Sequence, residues 1–400
     1  MDTILVLGAG TYQIEGIKKL KEMGYSVIGF DGDEHAAGRS YCDTFYHLDI
    51  KQADAIIDVI KRDNIKALAA TCFATERPIK AIGEINNHFY LKGLSLELAE
   101  LGRSKFEQRK VQEQAGLPTP KYAKVKTYED LLTCLANKSI QYPFILKPTD
   151  NSGSRGVCLI RNQEELEQNY ANSLEESVFD HALVVEEFIS GIEFTVETLV
   201  SNRHVYTLAI SEKKKPINNY TVSSELFYNS PYVEQLRMQI ETTVQTFVEH
   251  SVIDNTILHT EVIYSYSDHK VYLVETAVRG GGFHIFDKIL PRITGIDVVK
   301  CSIEANLGKT ITLDSIKRSP CIIRFMQGNK GLMNKIDINQ GIIDSVSDAE
   351  YGFFVSVGDT IKELNTDGSR LGYIITYGET WEDVFDKANK IDYAIKFEII

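Results

Sequence analysis

The chain has 400 residues, 43% hydrophobic and 25% charged, which suits a water-soluble globular protein of about two or three domains and excludes a disordered chain. A formal charge of −13 argues against nucleic acid or anionic membrane as a partner, because both reward a basic surface. Six cysteines without a CxxC pair suit reduced thiols in a cytoplasmic protein, not a disulfide frame or a zinc site. The chain opens on a strand without a secretory leader, and no apolar run reaches the roughly 18 residues of a membrane span.

Ile4 to Gly8 is a continuous apolar run, the signature of a buried parallel strand. Gly8-Ala9-Gly10, an amphipathic helix from Ile14 to Met23 and a second strand from Tyr25 to Phe30 complete a βαβ opening. The turn is like a dinucleotide fingerprint with Asp31 as the ribose acid, but Gln13 stands at the third glycine position. A packing turn and a ligand loop both remain open. Further α/β units follow: a helix from Ala53 to Arg62, a strand from Ala67 to Thr71 and a helix from Pro78 to Asn86.

Ser104-Lys105 starts a helix with Phe106 and Val111 on its apolar side; Gly116, Pro118 and Pro120 end it. A short buried strand, Phe144 to Leu146, delivers Lys147. The polar turn Asp150 to Val157 follows, and Cys158 to Ile160 returns. A lysine beside small and glycine residues suits phosphate, with backbone N–H groups as a nest; an exposed lysine on a plain turn is the alternative. The spacing is not that of a P-loop. Leu183 to Val185 runs into Glu186-Glu187-Phe188-Ile189, whose backbone can serve a flat base as a hinge peptide does. Glu193, on the alternating strand Glu193 to Glu197, then lies within reach of ribose hydroxyls.

Residues 213 to 231 read as a long polar loop, a lid candidate. An amphipathic helix from Tyr232 to His250 leads into two strands joined at Ser267-Asp268-His269-Lys270. Each strand carries one carboxylate, Glu261 and Glu275. Two hard carboxylates on one face suit Mg²⁺, which takes one or two of them and fills its shell with water and phosphate oxygens; solvated acids are the alternative. His259 shares the face of Glu261 and reads as a packed core histidine. Arg279 and Gly280-Gly281-Gly282 follow: a cation for developing charge and a backbone that admits a ligand closely. The segment from Ile289 to Ser302 reads as another buried helix or turn-helix segment. Beyond residue 310 come short strands (Cys321 to Met326, Gly352 to Val357, Gly372 to Thr376, Phe397 to Ile399) and one helix, Trp381 to Ile391, capped by Thr380. Arg324, on an apolar strand, needs either a buried carboxylate or a ligand anion.

In order, Lys105, FILKP with its glycine turn, VVEEFISGIEFTVE, HTE and LVETAVRGGG resemble the ATP-grasp superfamily of carboxylate–amine ligases along nearly the whole chain. The resemblance implies mixed α/β and α+β architecture. A Rossmann-like pre-ATP-grasp domain would span residues 1–100, an ATP-grasp domain 101–310 with its lid near 121–188, and a small β-rich domain 311–400. It implies ATP and Mg²⁺ (with Mn²⁺ as a substitute). Lys105 and Lys147 would contact ATP phosphates, and the turn with Ser152, Gly153, Ser154 and Gly156 would cover them. Glu186, Glu187, Phe188 and Ile189 would hold adenine and Glu193 the ribose. Glu261 and Glu275 would bind the metal. Arg279, with Lys147, would steady the acyl phosphate. Arg279, Gly281, Phe283, His284 and Arg324 form the expected substrate set. Ala277 stands where many members carry asparagine, so the metal rests on two carboxylates. That feature and the tail are similar to the aminoimidazole ribonucleotide carboxylases; HTE with an Arg-Gly-Gly loop leans toward the L-amino acid ligases.

The expected reaction activates a carboxylic acid, an amino acid, as an acyl phosphate and joins it to an amine. The partners are small molecules, and a homodimer is the one assembly considered. The rivals are a carboxylase that uses bicarbonate, an NAD(P)-dependent oxidoreductase built on Gly8, Gly10 and Asp31, and a non-catalytic nucleotide-binding protein.

Overall fold

The computed structural model describes residues 1–137, 139–151, 153–216, 222–364 and 366–400. Its first layer is a parallel sheet in the order Thr44–His47, Ser26–Asp31, Thr3–Leu7, Ala67–Thr71. Leu5, Leu7 and Phe30 are buried against helices Ala53–Arg62 and Ile79–Phe89, as continuous apolar strands require. Asp31 accepts the backbone N–H of Ala9 at 2.7 Å and of Asp33 at 2.9 Å. The glycine turn thus uses its own acid to hold its shape.

Tyr122–Val125, Leu183–Glu187, Phe144–Pro148 and Cys158–Ile160 form, in that order, a four-stranded antiparallel sheet, with its own core around Leu131, Phe144, Leu146 and Leu166. The largest sheet has eight antiparallel strands: Val271–Ala277, Thr256–Ser265, Gly191–Ser201, His204–Lys214, Glu225–Tyr228, Cys321–Met326, Gly372–Tyr377 and Ala349–Phe353. Three of these strands come from beyond residue 310, so the boundary expected there runs through one continuous sheet. A three-stranded sheet, Thr360–Ile361, Gly331–Ile338 and Ile395–Ile399, packs with helix Trp381–Ala394 at the C-terminal end.

One local expectation changes. The polar stretch from residue 213 is partly strand: strand His204–Lys214 continues into it and Glu225–Tyr228 pairs back along Ser211 to Lys214, while residues 217–221 of the expected loop lie outside the described residues. Glu212, Lys213, Lys214 and Lys215 all line a cleft there. Of the two readings for Ile289 to Ser302, the structure takes the one with a turn: Leu290–Thr294 ends at Gly295 in the left-handed region (φ 74°), and Val298–Asn306 begins anew from the Asp297 cap. All six cysteines are free thiols, and among the described residues no helix is long and apolar enough to cross a membrane.

Candidate active site

A cavity of about 710 Å³ opens between the four-stranded and eight-stranded sheets. The first supplies Ile145, Lys147, Glu186 and Glu187; the second supplies Glu193, Lys213, His259, Glu261 and Glu275.

The hairpin fixes the acids. Glu261 pairs directly with Glu275 across the antiparallel strands, with a bulge between Glu261 and Val262, and both line the cavity. Each has a lysine partner: Lys213 Nζ lies 2.9 Å from Glu261 and Lys105 Nζ 2.8 Å from Glu275. Burial works against a charged Glu261, but Lys213 more than offsets it and holds the carboxyl at about 2. Among the described residues no group of three or more His, Cys, Asp or Glu side chains is arranged around a metal. Two opposed carboxylates remain a fitting donor set for Mg²⁺.

Helix Lys105–Gln114, capped by Ser104, carries Lys105 to this hairpin. Its buried face is polar: Lys105, Gln108, Arg109 and Gln112. The Gln108 amide donates to Thr276 O (2.9 Å) and accepts from Thr276 N–H (2.8 Å), while Arg109 donates to Leu273 O and Val274 O. The helix therefore grips the backbone of the strand that bears Glu275. Arg109 also forks onto Glu186, with both N–O distances 2.9 Å. Lys147 reaches the same carboxylate at 2.8 Å. Burial brings the Lys147 ammonium down to about 8, with Glu186 opposing that fall and Arg109 adding to it. Glu186 sits at about 2 despite burial, because two cations flank it.

The Glu186 side chain is thus committed to Arg109 and Lys147, which leaves the expected backbone contact of residues 186–189 with a base untouched. Glu187, Phe188 and Ile189 line the cavity beyond it, as does Glu193, which pairs with Lys215 and Lys213. Gly153 and Ser154 also line it, both in the left-handed region (φ 67° and 59°). Gly156 does not: a Cβ there would stand 2.8 Å from Glu176 and 2.9 Å from Pro148, so its role is tight packing under the turn. Ser152 lies outside the described residues.

Arg279 lines the cavity, paired with Glu76 and with Gly280 O. Phe283 lines it too. His284 turns away to Asp287 and the Tyr12 ring, and Gly281 packs against Ile285 and Glu197. Arg324 leaves the substrate set as well: it takes Glu225 at 2.6 Å, with Asn389 and Asp392 nearby, the carboxylate partner its strand demanded. His259 belongs to the cavity wall, not the core. Its Nδ1 meets Glu197, which is fully buried. Burial disfavours a charged His259, yet Glu197 lifts its pKa above the ordinary histidine value. The sequence reading also missed Arg370, which reaches the cavity from the C-terminal segment; the only signal was an arginine just before a strand.

Residues 140–287 match the family profile described as the ATP-grasp domain, and this stretch holds Lys147, Glu186, Glu193, Lys213, Glu261 and Glu275 of the cavity wall, while Lys105, Phe325 and Arg370 lie outside it. This stretch of the chain is similar to an ATP-grasp domain. It is 26% identical over 208 residues to the formate-dependent phosphoribosylglycinamide formyltransferase of Wolinella succinogenes, covering 50% of this chain and 52% of that one. It is 24% identical over 302 residues to the alanine–anticapsin ligase of Bacillus subtilis, covering 69% of this chain and 62% of that one. The chain thus spans about half to three-fifths of the length of these relatives. The crystal structure of the L-amino acid ligase from Bacillus licheniformis superposes with a TM-score of 0.86, covering 100% of this chain and 99% of that one at 19% identity. That likeness establishes a shared fold over the whole chain. The oxidoreductase reading loses its footing: Asp31 serves its own turn, and the cavity lies between other sheets.

Proposed function

We propose that this protein is an ADP-forming carboxylate–amine ligase that activates an amino acid. One observation carries the reading: buried Lys105 and Lys147 and the opposed Glu261 and Glu275 converge on one cavity from a helix and two sheets. Lys105 and Lys147 supply positive charge to a triphosphate, and Glu261 and Glu275 hold its Mg²⁺. When bound, the metal neutralises charge on the phosphate oxygens. The substrate carboxylate attacks the γ-phosphorus and ADP leaves. An amine then attacks the acyl carbon, and inorganic phosphate leaves as the amide forms and the amine gives up a proton. Arg279 sits on the wall where the acyl phosphate's charge builds, and Phe283 offers an apolar surface to the acid's side chain. Bicarbonate would need no such surface, so the aromatic wall favours an organic acid.

The test is a phosphate-release screen of amino acids, singly and in pairs, with Mg-ATP. Release stimulated by a pair is expected. Stimulation by bicarbonate alone would make the protein a carboxylase, and absence of nucleotide binding would remove the ligase reading altogether.

Lys147 gives a pH signature. With its ammonium near 8 in the free protein, ATP affinity should fall as pH rises from about 8, approaching tenfold per unit at most. Nucleotide titrations between pH 7 and 10 read this directly. Lys147→Arg, which stays charged, should flatten the profile; an unchanged profile counts against phosphate contact by Lys147.

A further inference from the structure

A second cavity, of about 320 Å³, adjoins the metal end of the first. Glu76, Asn151 and Glu275 line both and form the partition. One part of its wall belongs to the parallel sheet: Lys51 follows strand Thr44–His47, and Arg77 and Lys80 follow strand Ala67–Thr71. All three stand past the carboxyl ends of parallel strands, where open α/β sheets usually take ligands. Another part is Val178 and Phe179, just after helix Gln163–Glu175. None of these five residues lines the first cavity.

The lining carries both signs of charge, but its acids are already committed. Glu76 pairs with Arg279, Glu275 with Lys105 and Asp150 with Arg103, while Glu176 accepts from the Asn151 amide. Arg103 is committed as well, to Glu100, Asp150 and Asp180. Lys51, Arg77 and Lys80 are left. Lys51 stands 3.8 Å from Asp49 and Lys80 3.7 Å from Glu84, longer than the roughly 2.7–2.9 Å of a charge-assisted hydrogen bond. Arg77 pairs with no carboxylate among the described residues. In a chain of formal charge −13, three such cations around one cavity repel each other, and a bound anion relieves that.

The apolar part of the wall asks for more than a bare ion. Phe179 is 36% exposed and Val178 44%. Lys80 Nζ lies 5.2 Å from the centre of the Phe179 ring and the Arg103 guanidinium carbon 5.4 Å, so Lys80 stands where the charged and apolar surfaces meet. The volume reaches the range of small-molecule sites, about 300–1,000 Å³.

We propose that this second cavity binds a phosphate monoester, with its phosphate among Lys51, Arg77 and Lys80 and a flat organic body against Phe179 and Val178. Three cations match a dianion with three terminal oxygens better than a carboxylate, which brings one charge and two oxygens. The site does not depend on the ligase reading.

Calorimetric titrations of the full chain, saturated with Mg-ADP to fill the first cavity, test this with phenyl phosphate, adenosine monophosphate, inorganic phosphate and benzoate. At least one ester should bind. Inorganic phosphate, with no body to bury, should bind about tenfold or more weakly than that ester. Benzoate, an aromatic body with a single charge, should do likewise. Arg77→Gln, at an exposed position, should weaken the ester about 10- to 100-fold and leave Mg-ADP binding unchanged. Lys80→Gln should act in the same direction. Tighter binding of adenosine monophosphate than of phenyl phosphate would support the site with a nucleotide as its occupant; the reverse order would support it with another phosphorylated small molecule. Absence of binding by both esters, equal binding of inorganic phosphate or benzoate, or an ester affinity that neither variant changes would overturn it. If Mg-ADP itself fails to bind, the ligase reading falls, and the same titrations into the free protein still decide the site.

Discussion

Replacing Glu275 by glutamine should lower turnover by about 100-fold or more while the protein stays folded. The amide is nearly the shape of the acid, so the strand keeps its ladder with Thr256–Ser265 and its clamp from Gln108 on Thr276. What disappears is the charge that faces Glu261 across the hairpin. With one carboxylate left, the site loses half of its hard anionic donors, and Lys105 loses its 2.8 Å partner. Initial rates of ADP formation across a range of Mg²⁺ concentrations, with circular dichroism melts of both proteins, read the two halves of the expectation. A variant with near-normal rates would remove the metal role from this hairpin. Glu261→Gln should behave alike, because the two residues are direct partners in register.

Arg109→Leu should destabilise the protein by about 3–5 kcal/mol, the range for breaking a buried ion pair by removing one partner. Arg109 is among the largest fully buried side chains and makes four bonds: two to Glu186 and one each to Leu273 O and Val274 O. Its loss leaves the Glu186 carboxylate in the interior with Lys147 alone. Lys110→Ala, which breaks the exposed pair with Glu107, should cost no more than about 1 kcal/mol. Urea unfolding of both variants makes the comparison. The acid limb adds a signed test. Glu186 lies at about 2, below its ordinary value near 4.5, so its stabilising contribution is complete above the ordinary value and is lost as pH falls toward 2. Without Arg109 its pKa rises, and acid unfolding should begin at higher pH than in the parent protein.

Much of this architecture was legible because it is local. Thr3–Leu7, Ala53–Arg62, Ala67–Thr71 and Cys158–Ile160 follow from apolar runs and helical periodicity. The glutamate pairing followed from a short turn between two strands. The hidden parts depend on partners far along the chain. Helix Lys105–Gln114 invites a reading with Phe106 and Val111 inward, yet it buries Gln108 and Arg109, because they bind backbone 164 to 168 residues away. His259 could not be told from a core histidine until Glu197, 62 residues earlier, stood beside it. Arg370 enters the cavity because strands beyond residue 310 extend the central sheet, a pairing that no local pattern announces. Arg324, by contrast, found its carboxylate on the neighbouring strand, where Glu225 pairs with it in register.

The most direct measurement is isotopic. Give the enzyme Mg-ATP, an amine and an amino acid substrate carrying ¹⁸O in its carboxylate, then analyse the released phosphate by mass spectrometry. Attack of that carboxylate on the γ-phosphorus predicts one ¹⁸O carried into each phosphate. Phosphate free of label, released in step with amide formation, would contradict it.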